Sequence, residues 1–282
     1  MSMCGIVAYF PSRARSSSRR AGLVAAIAAL ALAAACTRKN QGETRPGGIR
    51  LVEKGRLTVC THVPNPPFQT KDASGNVVGF DIDLMRLVAA DLGVEARFVD
   101  TPFEGIKSGQ DLDTAKCDVG AAGLTITDER KKVVDFSAPY FDATQAMLVE
   151  SGKSYQSLDD LRGRKVGTQA GTTGRDYARQ LAGEKDFTLV EFEDVAALQQ
   201  ALANGQVEAA INDLPVWIEY VEEHAGFEVA AEFDTGEQYG FAVRKGGNPG
   251  LLQEINAVLA RAREGGTYAE IYAKWLSRPP AP

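Results

Sequence analysis

The chain has 282 residues, of which 44% are hydrophobic, 24% charged and 8% aromatic. This composition excludes wholesale disorder, and the length suits one large or two medium domains. The formal net charge is −6, from 31 basic and 37 acidic residues. It argues against nucleic acid as a partner, because phosphate binding needs clustered Lys and Arg.

The first 35 residues have the pattern of an export signal. They contain four arginines and no acidic residue, and they end on the apolar run Ala21–Ala35. That run is shorter than the roughly 20 residues that a membrane span needs. We therefore predict that residues 1–35 are a signal peptide and that the chain is exported.

The small residues before Cys36 resemble the lipobox of bacterial lipoproteins, in which the cysteine becomes the lipidated first residue. The resemblance implies a lipoprotein anchored to the extracytoplasmic side of the membrane, with residues 36–48 as a lipidated cysteine and flexible tether. The alternative is ordinary cleavage nearby, which leaves Cys36 free or in a disulfide. Cys60 and Cys117 remain in the exported body, where a disulfide and two buried thiols are both open.

The first half of the body alternates between strand and helix patterns. The predicted elements are, in chain order, a strand Arg56–Thr61, a turn Ser74–Asn76, a helix Ile82–Leu92 capped by Asp81, a strand Val94–Val99, a short strand Asp118–Gly123 and a helical turn Arg130–Val133 capped by Thr127.

The second half repeats this alternation. The predicted elements are a strand Lys165–Thr168, a helix Gly174–Leu181, a strand Thr188–Phe192, a helix from the capping residue Asp194 to Asn204, a strand Val207–Asn212, a helix through Trp217 and Tyr220, a strand Gly240–Val243, and helices Pro249–Arg263 and Thr267–Leu276. Strands alternating with helices predict βαβ units around a mainly parallel sheet. Two similar α/β lobes are favoured over a barrel, which needs about eight such units.

Ligands of open α/β sheets bind beyond the carboxyl ends of the strands. There, a helix opening at residues 171–173 offers backbone N–H groups to an anion, and Arg130 offers a planar fork to a carboxylate. Asp213 offers the opposite charge to an ammonium group. Together they predict a site for a zwitterionic α-amino acid. Taken singly, Arg130 could pair with Asp128 or Glu129, Asp213 could cap the next helix, and residues 171–173 could be a plain turn.

Three segments, Val78–Leu84, Ala122–Tyr140 and Gly266–Trp275, make the body resemble the polar amino-acid binding proteins of bacterial ABC importers. These are solute-binding proteins of family 3, with the glutamine-binding proteins as the nearest likeness. The resemblance covers about four fifths of the chain. It implies a type II periplasmic-binding-protein fold, in which two lobes, each a mainly parallel sheet flanked by helices, are joined by two hinge strands.

The resemblance also implies where the lobes lie in the sequence. The first lobe comprises residues 49–143 and 240–282, and the second comprises residues 144–239. The hinge strands are expected near Asp142–Val149 and Glu237–Val243.

The resemblance assigns roles at the backbone end of the ligand. Arg130 is expected to hold the α-carboxylate bidentately, helped by the Thr125 hydroxyl and by the N–H groups of Thr172 and Thr173.

Asp213 and the backbone carbonyl of Gly123 are expected to hold the α-ammonium. Phe103 is expected to lie against the apolar stem of the ligand.

The side-chain end departs from the glutamine-binding pattern at four positions. His62 replaces an Asp, Asn65 an aromatic residue, Gln169 a Lys and Asn212 a His. The resulting pocket is polar without a fixed charge, which suits glutamine, whereas a protonated His62 would favour glutamate. The alternative for His62 is a loop histidine bonded to the backbone.

The resemblance implies binding without chemistry, by a monomer that takes up a free L-amino acid and delivers it to an ABC permease and its ATPase subunits. It implies no cofactor and no metal. The alternative is a periplasmic cyclohexadienyl or arogenate dehydratase on the same fold. That reaction needs a general acid, for which the expected cavity residues offer only His62 and Asp213.

Overall fold

The structure is a computed structural model that describes residues 42–276. The predicted signal peptide and Cys36 therefore lie outside the described residues. The strands are β1 Glu43–Thr44, β2 Arg50–Leu51, β3 Arg56–Thr61, β4 Thr70–Lys71, β5 Val77–Val78, β6 Glu95–Asp100, β7 Val119–Gly120, β8 Val134–Phe136, β9 Phe141–Glu150, β10 Lys165–Gln169, β11 Thr188–Phe192, β12 Ala209–Asp213, β13 Phe227–Tyr239 and β14 Ala242–Arg244.

Helices flank these strands. The α-helices of the described part are α1 Phe80–Asp91, α2 Phe103–Lys107, α3 Gln110–Asp113, α4 Asp128–Lys131, α5 Thr173–Lys185, α6 Val195–Ala203, α7 Leu214–Glu223, α8 Pro249–Glu264 and α9 Thr267–Trp275. Short 3-10 helices span Pro46–Gly48 and Leu158–Leu161. Among residues 42–276, no helix combines the length and the apolar character that a membrane crossing requires.

The strands build two five-stranded sheets. The first has the order β6-β3-β7-β14-β8 and the second the order β11-β10-β12-β9-β13. Both are mixed: β3 is parallel to β6 and β7, and β10 is parallel to β11 and β12. The antiparallel pairs are those made by β14 in the first sheet and by β9 in the second.

The central parallel strands are buried on both faces of their sheets. Every residue of β3 from Leu57 to Thr61 is buried, and so is every residue of β10 from Val166 to Gln169. Strands buried on both faces lose the alternation of apolar and polar residues.

The chain passes between the sheets twice. It leaves the first sheet after β8 and enters the second at Phe141, and it returns between Tyr239 and Ala242. Phe141 lies opposite Tyr239 in the antiparallel ladder of β9 and β13. The two rings stack with centroids 5.4 Å apart, and Tyr140 stacks on Phe241 at 4.1 Å. Both passages are thus packed into one buried aromatic cluster.

The disulfide left open by the sequence is present. Cys60 and Cys117 are bonded, with Cα atoms 5.6 Å apart, and both are buried. Their proximity follows from the pairing of β3 with β7, which places Cys60 opposite Gly120.

Two predicted helix caps are confirmed, and one is wrong. The Thr127 side chain accepts from the N–H of Arg130, and Asp194 caps α6 through the N–H of Ala197. The turn after Thr127 spans Asp128–Lys131 instead of Arg130–Val133. The prediction for Asp81 is wrong, because α1 starts at Phe80 with Gly79 as its N-cap and encloses Asp81 in its first turn.

Candidate functional site

The ends of several strands converge on one cavity. It encloses about 390 Å³ of open space, including its mouth. Its lining residues are His62, Asn65, Phe103, Ala122, Gly123, Thr125, Arg130, Gln169, Thr172, Thr173, Asn212 and Asp213. All eleven ligand-binding residues expected from the sequence are in this set, together with Ala122. The loops after β3, β6 and β7 supply one wall, and the loops after β10 and β12 supply the other.

Arg130 is almost fully buried at this cavity, with 8% of its surface exposed. Its Nη1 donates to the carbonyl oxygen of Thr125 at 2.8 Å, and its Nη2 donates to the carbonyl oxygen of Gly171 at 3.2 Å. The expected alternative is wrong: Asp128 pairs with Lys131 and Glu129 with Lys132.

The guanidinium carbon of Arg130 also lies 5.6 Å from the centre of the Phe103 ring. Burial lowers the pKa of Arg130, while Asp213 and Glu237 act in the opposite direction. A guanidinium nevertheless stays charged in proteins and has five N–H donors. Because the two protein carbonyls accept from only part of these N–H groups, the remaining donors of Arg130 are available to an anion.

Asp213 ends β12 and does not cap the helix that follows it. Its carboxylate instead accepts hydrogen bonds from Gln145 Nε2 and from the Tyr239 hydroxyl. Burial, together with the nearby Glu237 carboxylate, raises the pKa of Asp213 to about 7 against the opposing effect of these two donors.

Gly123 follows β7 with a φ of +55°, in the left-handed region that side chains disfavour. A Cβ atom at this position would also come within 3.2 Å of Asn65 Nδ2. The N–H of Gly123 donates to Asp81 Oδ2 at 2.9 Å, which fixes the orientation of this loop.

Asp81 is a functional candidate that the sequence analysis did not identify. It is fully buried and also accepts from the Tyr140 hydroxyl at 2.7 Å and from Gln69 Nε2 at 2.5 Å. Gln69 in turn accepts from Asn65 Nδ2 at 3.3 Å, so Asp81 connects two cavity residues, Asn65 and Gly123. Burial raises the pKa of Asp81 to about 7. The sequence signal that could have identified Asp81 is its position as an acidic residue between Phe80 and Ile82 in an apolar run.

The start of α5 forms part of the cavity wall. Thr172 is its N-cap: its Oγ1 accepts from the N–H of Arg175 at 3.1 Å and donates to the carbonyl of Gln169 at 2.8 Å. The first turn of a helix presents N–H groups without intrahelical partners and the positive end of the dipole. This end of the cavity therefore favours an anion.

The side-chain end of the cavity is lined by the polar side chains of His62, Asn65, Gln169 and Asn212. His62 Nδ1 lies 3.0 Å from the carbonyl oxygen of Thr101, and because a carbonyl only accepts, Nδ1 carries the proton. This is the backbone bond that the sequence analysis left open as an alternative. His62 Nε2 is buried without a partner among the described residues, so a neutral His62 offers an acceptor there.

Asn212 supplies the complementary group. Its Oδ1 accepts from the N–H of Asp213 at 2.9 Å, which identifies Nδ2 as the free end of the amide. Nδ2 is buried without a partner in the part of the chain that the structure describes. Gln169 Nε2 contacts the carbonyl of Glu193 at 3.4 Å. The side-chain end of the cavity thus offers an acceptor at His62 Nε2 and a donor at Asn212 Nδ2.

Glu237 and Gln145 were also missed by the sequence analysis. Glu237 lies on β13 and accepts from Thr125 Oγ1 at 3.0 Å and Thr173 Oγ1 at 2.6 Å. Gln145 lies on β9 and donates to both Glu237 and Asp213. Neither residue follows a parallel strand, so the rule that ligands bind beyond the carboxyl ends of such strands does not identify them.

Two mixed sheets joined by two passages, with a charged cavity at their strand ends, define the two-lobed type II periplasmic-binding-protein fold. The profile of the bacterial extracellular solute-binding proteins, family 3, matches residues 57–278, and the chain belongs to this family.

Two curated relatives and one solved structure agree with this assignment. A probable histidine-binding protein of Neisseria gonorrhoeae is 34% identical over 89% of this chain and 94% of its own length. The ABC transporter glutamine-binding protein GlnH of Bacillus subtilis is 37% identical over 74% of this chain and 76% of its own length. An ancestral arginine-binding protein bound to arginine superposes with a TM-score of 0.74 at 44% identity, over 79% of this chain and 98% of its own. The chain is thus an amino-acid-binding component of an ABC transporter, and these relatives differ in the amino acid that their names give.

Proposed function

We propose that the chain binds a polar L-amino acid with a neutral side chain, glutamine foremost, between two lobes that close on it. The lobes are residues 49–143 with 240–282, and residues 144–239. The observation that carries the proposal is the placement of Arg130 and Asp213, two groups of opposite charge, on the wall of one cavity.

The proposed contacts divide the ligand into a backbone end and a side-chain end. Arg130 and the start of α5 hold the α-carboxylate, while Asp213 and the carbonyl of Gly123 hold the α-ammonium. Micromolar affinity corresponds to about −8 kcal/mol, and a hydrogen bond to a charged group contributes about 1.5–3 kcal/mol. A few such bonds are therefore sufficient after the cost of closure.

The side-chain end supports glutamine ahead of glutamate. A carboxamide carries a donor for His62 Nε2 and an acceptor for Asn212 Nδ2, both of which are buried without a partner among residues 42–276. A carboxylate has no proton for a neutral His62.

A recess beyond His62 and Phe103 favours a basic amino acid as a second candidate ligand. Its lining includes the acidic residues Asp100, Glu104, Glu193 and Asp194. An arginine side chain that extends past His62 would meet these carboxylates, and one relative is named for binding arginine.

Isothermal titration calorimetry of the full-length chain with glutamine, glutamate, arginine, histidine and cystine distinguishes these candidates. Glutamine as the tightest ligand is the expected result, and arginine as the tightest ligand replaces it with the second candidate. No binding of any amino acid would overturn the proposal. The same preparation is incubated with prephenate and arogenate, and turnover of either would establish the dehydratase alternative instead.

Substitution of Arg130 tests the proposed grip on the α-carboxylate. Arg130→Ala removes at least one charge-assisted bond, so affinity should fall about 10- to 150-fold. Lys131→Ala, an adjacent and exposed change, is the matched control and should bind as wild type. Unchanged affinity in a folded Arg130→Ala variant would contradict the assignment.

We also propose that the exported chain is held to the membrane through a lipid on Cys36, close to its permease. Mass spectrometry of the mature N-terminus should find a diacylglycerol adduct on this cysteine. A Cys36→Ser variant should be released from the membrane fraction, and a membrane-bound variant would contradict the anchor.

A further inference from the structure

Glu237 joins parts of the two sheets at the cavity. Its Oε2 accepts from the hydroxyl of Thr125, which follows β7 of the first sheet, at 3.0 Å. The same oxygen accepts at 2.6 Å from the hydroxyl of Thr173, the first residue of α5 beside the second sheet. The two hydroxyl oxygens are 3.4 Å apart. One carboxylate oxygen thus bridges the two walls of the cavity.

The other carboxylate oxygen of Glu237 accepts from residues of the second sheet, to which Glu237 itself belongs. Oε1 accepts from Gln145 Nε2 at 3.1 Å and from Thr235 Oγ1 at 3.0 Å. Four neutral donors therefore fix this carboxylate. Arg130 and Asp213 are close enough to interact with its charge.

The number of hydroxyl protons limits what Thr125 and Thr173 can do for a ligand. A threonine hydroxyl has one proton to donate, and in both residues that proton points to Glu237. Neither hydroxyl can then also donate to the carboxylate of an amino acid. The role that the sequence analysis gave to the Thr125 hydroxyl is therefore reassigned to backbone donors.

We infer that Glu237 is a positioning residue: it ties the two lobes together across the cavity through Thr125 and Thr173, and it leaves the ligand's α-carboxylate to Arg130 and the N–H groups at the start of α5. The statement about the ligand's α-carboxylate rests on the proposed function. The tie between the lobes does not, because it consists of bonds within the chain.

Glu237→Gln is the discriminating variant because it keeps the size of the side chain. A carboxylate only accepts, whereas the amide replaces one accepting oxygen by an NH₂ group. The threonine hydroxyls can turn to accept from this group, so the variant weakens the bridge because neutral hydrogen bonds replace charge-assisted ones. Thr235→Val is the matched control, since it removes one donor to Glu237 and leaves the bonds to Thr125 and Thr173 intact.

Small-angle X-ray scattering of the full chain without added amino acid tests the tie, and calorimetry with L-glutamine and L-arginine tests its effect on binding. Glu237→Gln should have a larger radius of gyration than wild type, and its affinity should fall about tenfold for the loss of one charge-assisted bond. Thr235→Val should match wild type in both measurements. Scattering of Glu237→Gln that superposes on wild type, or equal damage from Thr235→Val, would overturn the inference.

Thr125→Val removes the partner in the first lobe without changing Glu237, and it keeps the test decisive if Glu237→Gln folds poorly: its radius of gyration should also exceed that of wild type. Where both variants fold, the double variant should be no worse than Glu237→Gln, because both changes break the same bond. Additive effects would refute the bridge. If wild type binds neither amino acid, the proposed function fails, while the scattering comparison still decides whether Glu237 ties the lobes.

Discussion

The pH dependence of ligand affinity tests the role proposed for Asp213. Burial raises the pKa of Asp213 to about 7. Because only the ionised carboxylate attracts an ammonium group, the apparent affinity should scale with the ionised fraction. For a pKa near 7 that fraction is about 3% at pH 5.5 and about 90% at pH 8, so affinity should rise about 30-fold between them.

Calorimetric titrations with L-glutamine between pH 5.5 and 8 measure this change. Asp213→Asn is the control, because the amide does not titrate: it should bind weakly and lose most of the pH dependence. The control also separates Asp213 from Asp81, whose pKa is likewise raised to about 7 by burial. Affinity that is constant across this range, or a slope that persists in Asp213→Asn, would refute the role of Asp213.

Stability of the protein without amino acid should change in the opposite direction. Burial raises the pKa of Asp213 and Asp81 to about 7 and that of Asp118 to about 6. Above about pH 4 the unfolded chain releases these protons while the folded chain retains them. The contribution of these groups to the free energy of unfolding therefore falls as pH rises from about 4 to about 7 and is level above. Urea unfolding at each pH verifies this sign, and it shows that weak binding at pH 5.5 is not caused by unfolding.

Two further substitutions test the supports of the cavity. Replacing both Cys60 and Cys117 by Ala opens a loop with a sequence separation of 57 residues, and chain entropy predicts a loss of up to about 4 kcal/mol in the free energy of unfolding; a loss below about 1 kcal/mol in urea titrations would show that the disulfide has no such effect. Asp81→Asn leaves the N–H of Gly123, Gln69 Nε2 and the Tyr140 hydroxyl with one acceptor fewer among them, so it should lower the free energy of unfolding by about 1–3 kcal/mol and weaken glutamine binding. Unchanged stability and affinity would mean that Asp81 does not support the Gly123 loop.

The sequence was sufficient to predict which loops meet at the cavity. Arg130 and Asp213 were found because parallel strands point their carboxyl ends to one edge of a sheet, and strands β3 and β11 have the predicted bounds. The alternation of strands and helices also gave the correct class of fold. These predictions depend on local periodicity and on a general rule of topology.

The residues that were missed depend on contacts distant in sequence. Asp81 was assigned to a helix cap, a local role, whereas its partners include Gly123 and Tyr140, 42 and 59 residues away. Glu237 meets Thr125 across 112 residues. The long strand β13 was not predicted because it contains a run of small and acidic residues that lacks a regular apolar alternation. No local pattern specifies such pairings.

The two principal charges of the cavity are each satisfied by dipoles rather than by an opposite charge. Arg130 donates to two backbone carbonyls, and Asp213 accepts from an amide and a phenol. Within residues 42–276, no ion pair joins Arg130 to Asp213. Neutral partners compensate a buried charge less completely than an opposite charge does, so both groups can still be stabilised by a charged ligand. A zwitterion stabilises both charges at once, whereas a simple amine or a simple carboxylate stabilises one. Arg130 lies in α4, between strands β7 and β8 of the first sheet, and Asp213 ends a strand of the second sheet. An amino acid that binds both residues therefore also favours closure of the two lobes.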